Sequence, residues 1–327
     1  MHKRFVNNFT IDFSIIPRGP ILIKSGQEGA DPTKPDMEFV ETYHQGKRSI
    51  YLPGSSLKGA IRAHAERIVR TVGQDNRPND PAKLWASDPL NDKYEYLHKN
   101  DNLKDEKKCP PEIYKLSSFT DQLFGNVKIA SRLRIEDAYP TGAVPRLEER
   151  NGVAIDRVFG SVAVGPFNFQ VCTEGEFRTK IHLKNFTLAQ LALVGLVLRD
   201  FHEGWFGLGF AKSRGLGTVE LRYHQAIAQY PGCILNEDNQ RIEMLGNPKK
   251  NWSRTSLLGA GEFLKKEERL TYGFPQGDVE ETPVPGQEMN LGLGVELRWE
   301  GDERVPDIFR RAVNAWKKLL KNRRAAA

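Results

Sequence analysis

No run of apolar residues in this 327-residue chain approaches the roughly 18 needed to cross a bilayer. The longest, Leu188 to Leu198, is too short and is broken by Gln190 and Gly195. The opening Met1-His2-Lys3-Arg4 leads into an alternating segment, not the apolar region of a signal peptide. A cytoplasmic protein with no membrane attachment is therefore expected. Cysteine is scarce: Cys109, Cys172 and Cys233 lie far apart with no CxxC pair. That argues against a disulfide framework and against an ordinary zinc site, and Cys109 beside His98 lacks the ligand count for one. Excess charge is also modest, +6 from 48 basic and 42 acidic residues. The placement of the basic residues, beside glycine-rich turns where phosphates can approach the backbone, says more than their total.

What is present reads as an α+β chain. Phe5, Asn7, Phe9, Ile11, Phe13 and Ile15 share one parity, the period of a strand over 5–16. Pro17 to Pro20 breaks it and Ile21-Leu22-Ile23 resumes it, before a polar loop from Lys24 to Arg48. Ser49 to Leu52 reads as a short strand. Leu57, Ile61, Ala65, Ile68 and Val72 then fall on one helical face, with Ser55 or Ser56 as N-cap. Residues 73–115 turn polar and read as an insertion. Strands are expected over 131–138 and, as a pair, over 162–171 and 177–183, with 139–165 protruding before them. Thr187 caps a second helix, apolar almost all round, over 188–201, and a strand follows at 218–223. The order β, α, β, β, α, β predicts a ferredoxin-like, RRM-like sandwich over 1–223. Residues 224–327 form a C-terminal extension with a basic amphipathic helix at 308–320.

Two motifs carry chemistry. Pro53-Gly54-Ser55-Ser56-Leu57-Lys58-Gly59 opens a helix, where free N–H groups, hydroxyls and Lys58 suit a phosphate. A capped turn explains it equally well. Between Gly204 and Gly217 five glycines surround Lys212, Ser213 and Arg214. This stretch is not a Walker loop, having no Gly-Lys-Ser/Thr that opens a helix, nor a dinucleotide fingerprint, since it follows a helix and precedes a strand. A structural hairpin is the alternative.

Taken together, the two motifs resemble those of the RAMP superfamily, and more narrowly the repeated backbone (Cas seven-type) subunits of type III CRISPR effector complexes. Ala130-Ser131-Arg132-Leu133-Arg134-Ile135-Glu136-Asp137-Ala138 is similar to the strand before the family's thumb. Ala154-Ile155-Asp156-Arg157, with Gly160 and Val162-Ala163, is similar to the thumb hairpin. The resemblance covers about 5–223.

It implies a subunit that stacks along guide RNA (crRNA), holds its backbone, and wedges a thumb into the guide–target duplex beside other subunits. Gly54, Ser55, Ser56, Lys58, Arg62, Lys212, Ser213 and Arg214 would contact RNA, with Arg157 and Phe159 on the thumb. It further implies cleavage of complementary target RNA by a loop aspartate with Mg²⁺, or Mn²⁺ in its place. Asp31 and Asp36 compete for that role, and Asp36, followed by Met37-Glu38-Phe39-Val40, matches better and would hold the metal. A non-catalytic scaffold or end subunit is one alternative. A metal-independent processing endoribonuclease using His44 is another, and a ferredoxin-like interaction protein that binds no RNA is a third. Trp205 and Phe206 read as core, and His64 as structural.

Overall fold

The computed structural model describes residues 4–26, 35–75, 77–79, 83–90 and 110–324; Asp31, His98 and Cys109 lie outside the described residues. The alternation in the first segment does produce strand β1 (Asn8–Pro17), with Phe9, Ile11, Phe13 and Ile15 all buried. Ile21, Leu22 and Ile23 are equally buried, but only Ile21 makes a bridge, to Cys172, so no second strand forms there. The hairpin β2 (Glu41–His44) and β3 (Lys47–Ile50) leads to helix α1 (Gly54–Val72). Short helices α2 (Pro110–Leu116) and α3 (Phe119–Phe124) precede strands β4 (Leu133–Ile135) and β5 (Tyr139–Pro140).

The expected strand pair at 162–171 and 177–183 does not form. Strand β7 (Val162–Glu174) pairs instead with β6 (Arg146–Ile155) as a separate two-stranded hairpin. Strand β8 (Phe177–Lys184) turns away from it and enters the main sheet between β1 and β4. The protruding element is accordingly longer than 139–165. Glycine and charge in its turn marked its tip, while its returning strand resembled any other half-apolar strand.

Helix α4 (Leu188–His202) starts at Thr187 as expected, with a capping box that Gln190 completes. Strand β9 (Val219–Tyr230) pairs with β1. The central strands thus run antiparallel in the order β9-β1-β8-β4. Rows of inward side chains, such as Phe9, Leu183 and Leu133, are fixed by the register. This mixed α/β arrangement is related to the ferredoxin-like one.

The C-terminal chain is built onto the same core. It forms a small sheet of β10 (Cys233–Leu235), β11 (Arg241–Met244) and β12 (Asn251–Ser253). Next come β13 (Ser256–Leu258), α5 (Lys266–Tyr272) and β14 (Val279–Glu281). Then β15 (Gln287–Glu288) and β16 (Val295–Glu300) extend the main sheet beyond β9. Helix α6 (Val305–Arg324) lies on α4, burying Ile308, Phe309, Ala312 and Trp316. That cover explains why α4 is apolar almost all round. No helix among the described residues is long and apolar enough to cross a membrane.

Candidate nucleic-acid interface

Helix α1 begins differently from the expectation. Pro53 occupies the N-cap position and no side chain caps the helix, so Ser55 and Ser56 lie inside its first turn. The carboxylate of Asp137 takes the capping role from outside, its Oδ1 accepting the Gly54 N–H at 2.7 Å. Gly54 is required by close approach: a Cβ there would lie 2.5 Å from the carbonyl oxygen of Ile135. Ser55 is exposed and Ser56 half-buried.

One turn on, Lys58 Nζ donates to Ser131 Oγ at 2.9 Å. Partial burial, aided by the neighbouring Arg62 charge, lowers its pKa. A phosphate placed beside it would restore the ammonium's preference. Arg62 is committed inward, donating to Glu66 and Asp121 at 2.9 Å each and to the Gly125 carbonyl at 3.1 Å.

Sequence reading missed the open face of the sheet. In β8 the residues alternate strictly: Phe177, Thr179, Ile181 and Leu183 are buried, while Arg178, Lys180, His182 and Lys184 point outward. The alternation was visible in the sequence, but which side a partner or helix would cover was not. The register sets Arg134, His182 and Thr10 in one row across β4, β8 and β1. His182 is held by Glu136 at 2.8 Å and by Thr10 at 3.1 Å.

A cleft crosses the edge of the sheet at β4. It joins Gly54, Ser55 and Lys58 on α1 to Arg134, His182 and Lys184 on the open face. Its lining includes four cations, Lys58, Arg132, Arg134 and Lys184, and no carboxylate. Arg132 lies behind the cleft, its guanidinium 4.0 Å over the ring of Tyr114 and donating to the Asn185 carbonyl at 2.7 Å. A groove lined by one sign of charge, with helical N–H groups at one end, suits a polyanion.

A second cluster gathers around the glycine-rich stretch. Lys212, Ser213 and Arg214 form an exposed 3-10 turn, with Arg214 stacked 5.0 Å over Phe210. The turn is fixed to Pro20–Ile23: Phe210 N–H donates to the Leu22 carbonyl at 2.7 Å and Gly217 N–H to that of Pro20 at 2.9 Å. Gly209, at φ +82°, lies so close that a Cβ would meet the Leu22 oxygen at 2.1 Å. The same segment bridges to the root of β7 through Ile21 and Cys172.

Asp36 lies against the β6–β7 hairpin. Met37 bridges Phe169, and Asp36 Oδ2 accepts the Asn168 N–H at 2.8 Å. The carboxylate is exposed and fastens its loop to the middle of the β6–β7 hairpin, where Asn168 faces Asn151. At the tip Asp156 Oδ1 accepts the N–H groups of Val158 and Phe159, leaving Phe159 84% exposed. Arg157 is exposed beside it. Among the described residues no group of three His, Cys, Asp or Glu side chains could hold a metal ion. Asp36 offers a single hard carboxylate of the kind Mg²⁺ takes.

The remaining singled-out residues divide cleanly. His64 is buried, bonded to Asp200 at 2.7 Å and stacked on Phe206, a structural position. Trp205, expected in the core, is 66% exposed, with Arg199 5.7 Å from its ring. The loop after α4 turns outward at Glu203–Gly204, so only Phe206 reaches back inside. On the C-terminal helix, Arg311 and Lys318 pair with Asp307 and Glu280.

A fold with one helical face, one open polar face and a cationic edge cleft has the arrangement that suits RNA binding. The family model for the RAMP superfamily matches residues 17–220. The chain belongs to that superfamily, and membership gives it a CRISPR-associated, RNA-binding role. No curated protein matches the chain significantly.

Proposed function

We propose that the chain is a guide-RNA-binding backbone subunit of a type III CRISPR effector complex, with an RRM-like core over 1–223 braced by the extension 224–327. The observation that carries this reading is the carboxylate-free cleft between the α1 N-terminus and the open sheet face. It would hold the guide's phosphates without reading sequence, while pairing with a complementary target RNA supplies specificity. The hairpin tip, with Arg157 and Phe159, would reach the guide–target duplex and neighbouring subunits.

We further propose that Asp36 serves cleavage of the bound target. RNA carries its own nucleophile, the 2′-hydroxyl. Asp36 would accept its proton as the oxygen attacks the adjacent phosphorus and the P–O5′ bond breaks, the departing 5′-oxygen taking a proton from water, to leave a 2′,3′-cyclic phosphate and a 5′-hydroxyl. Mg²⁺ held at Asp36, its shell completed by waters and RNA oxygens, would supply charge stabilisation at the phosphate. The hydrogen bond to Asn168 would keep the carboxylate in one orientation.

The test is cleavage of complementary RNA by the assembled complex in Mg²⁺, comparing wild type with Asp36→Asn. Asparagine keeps an oxygen for the Asn168 N–H and removes only the charge. Cuts that fall at least about 100-fold, with guide RNA retained, support the assignment. Unchanged cutting contradicts it and moves the role to Asp31 or to another subunit. An uncut target with wild type would leave a scaffold.

A further inference from the structure

Beside the cationic cleft lies a second one of different chemistry. Arg134 and Ile135 line both. The second cleft sets Asp12, Glu136 and Asp137 against Arg134, Arg178 and Lys180. Its cations are already matched: Arg178 donates to both oxygens of Asp12 at 2.8 and 3.0 Å, and Arg134 to Glu136 at 3.0 Å. Such a cleft has little to offer a phosphate. Its wall, by contrast, is aromatic. His44 stacks on Tyr139 with ring centroids 4.0 Å apart and planes 8° from parallel, and Tyr51 stacks on Tyr139 at 5.9 Å and 16°.

This three-ring ladder is held from below. Tyr139 O–H donates to Asp137 Oδ2 at 3.4 Å, and the other oxygen of Asp137 takes the Gly54 N–H at the start of α1. Burial, and then Asp137, push the Tyr139 phenol up, so the ring stays neutral. His44 ends the ladder and lines the cleft, and its ring makes no hydrogen bond among the described residues. Flat rings beside a phosphate-binding groove are the usual means of holding unpaired bases.

We propose that the His44–Tyr139–Tyr51 ladder is a nucleobase platform: a phosphate sits in the cationic cleft at Lys58 and Lys184, and its unpaired base stacks on His44. This deepens the guide-RNA reading and rests on it. The division follows from charge, since one cleft holds Lys58 and Lys184 without a carboxylate partner and the other has an aromatic wall with balanced charges. It also gives His44 a role by its ring face rather than by proton transfer.

The experiment measures affinity of the full chain for single-stranded RNA about ten nucleotides long across a salt series. Wild type, His44→Ala, His44→Phe and Lys58→Ala are compared. His44→Ala should weaken binding by about fivefold or more at every salt concentration, with the slope of log K against log salt unchanged. His44→Phe should restore the affinity, and Lys58→Ala should flatten the slope. Wild-type affinity in His44→Ala, in a chain that binds RNA, would overturn the platform alone. No binding by wild type would overturn the platform together with the function proposed above.

Discussion

At the scale of single residues, burial decides which charges are available for function. Arg62, Arg132 and Lys58 are all cations near the cleft, but two are committed to the protein. Arg62 is tied to Asp121 and Glu66, and Arg132 to an aromatic ring and a carbonyl. From sequence alone Arg62 looked like its neighbour Lys58, because its acidic partner Asp121 is far along the chain. Asp278 shows the opposite problem. It is buried at the start of α4, accepts the Leu188 N–H, and burial pushes its carboxyl up to about 7. Between about pH 4 and pH 7 the folded state therefore holds a proton that the unfolded chain releases, and stability contributed here falls as pH rises. Asp278→Asn, compared with wild type by urea unfolding, should gain about 2–4 kcal/mol relative to wild type between pH 4.5 and pH 7.5. A difference independent of pH would contradict the buried-carboxyl account.

At the scale of elements, local signals were legible and pairings were not. Strand β1, helices α1 and α4, and the Thr187 cap followed from periodicity and capping chemistry. The partner of β7 did not, because a strand's hydrophobic pattern says which face is covered and not by what. The strand expected over 131–138 forms, but only Leu133–Ile135 pair with β8 as β4, a limit that the sheet and not the pattern sets. Gly195 is a further case: in sequence it interrupts an apolar run, yet in the fold it admits α6. A Cβ at that position would lie 2.5 Å from the Phe309 ring. Gly195→Val should separate α4 from α6 and cost about 1–3 kcal/mol, read as a lower urea midpoint. An unchanged midpoint would show that the two helices are not closely packed there.

At the scale of the whole molecule, the architecture separates support from function. Helices α1, α4 and α6 and the C-terminal strands enclose the core on one side and extend the sheet past β9. The open face, the β4 edge and the loop end of the sheet stay free of that packing. The two glycine-bearing motifs were legible as candidate phosphate contacts, and the structure sets them in separate clusters. The basic alternation of β8 joins the first of them to the sheet face, and it became meaningful only once one side of the sheet was known to be covered. Placing Asp36 beside the middle of the β6–β7 hairpin likewise needed a contact across more than a hundred residues of chain.

The most direct test of the central claim is the salt dependence of RNA binding by the full chain, comparing wild type with Lys58→Ala/Lys184→Ala. If these lysines neutralise phosphates in one cleft, wild-type affinity falls linearly with log salt, and the double variant shows a slope smaller by about 1 to 1.5. Affinity that ignores salt, or a slope the double variant leaves unchanged, would contradict the assignment of this cleft to the RNA backbone.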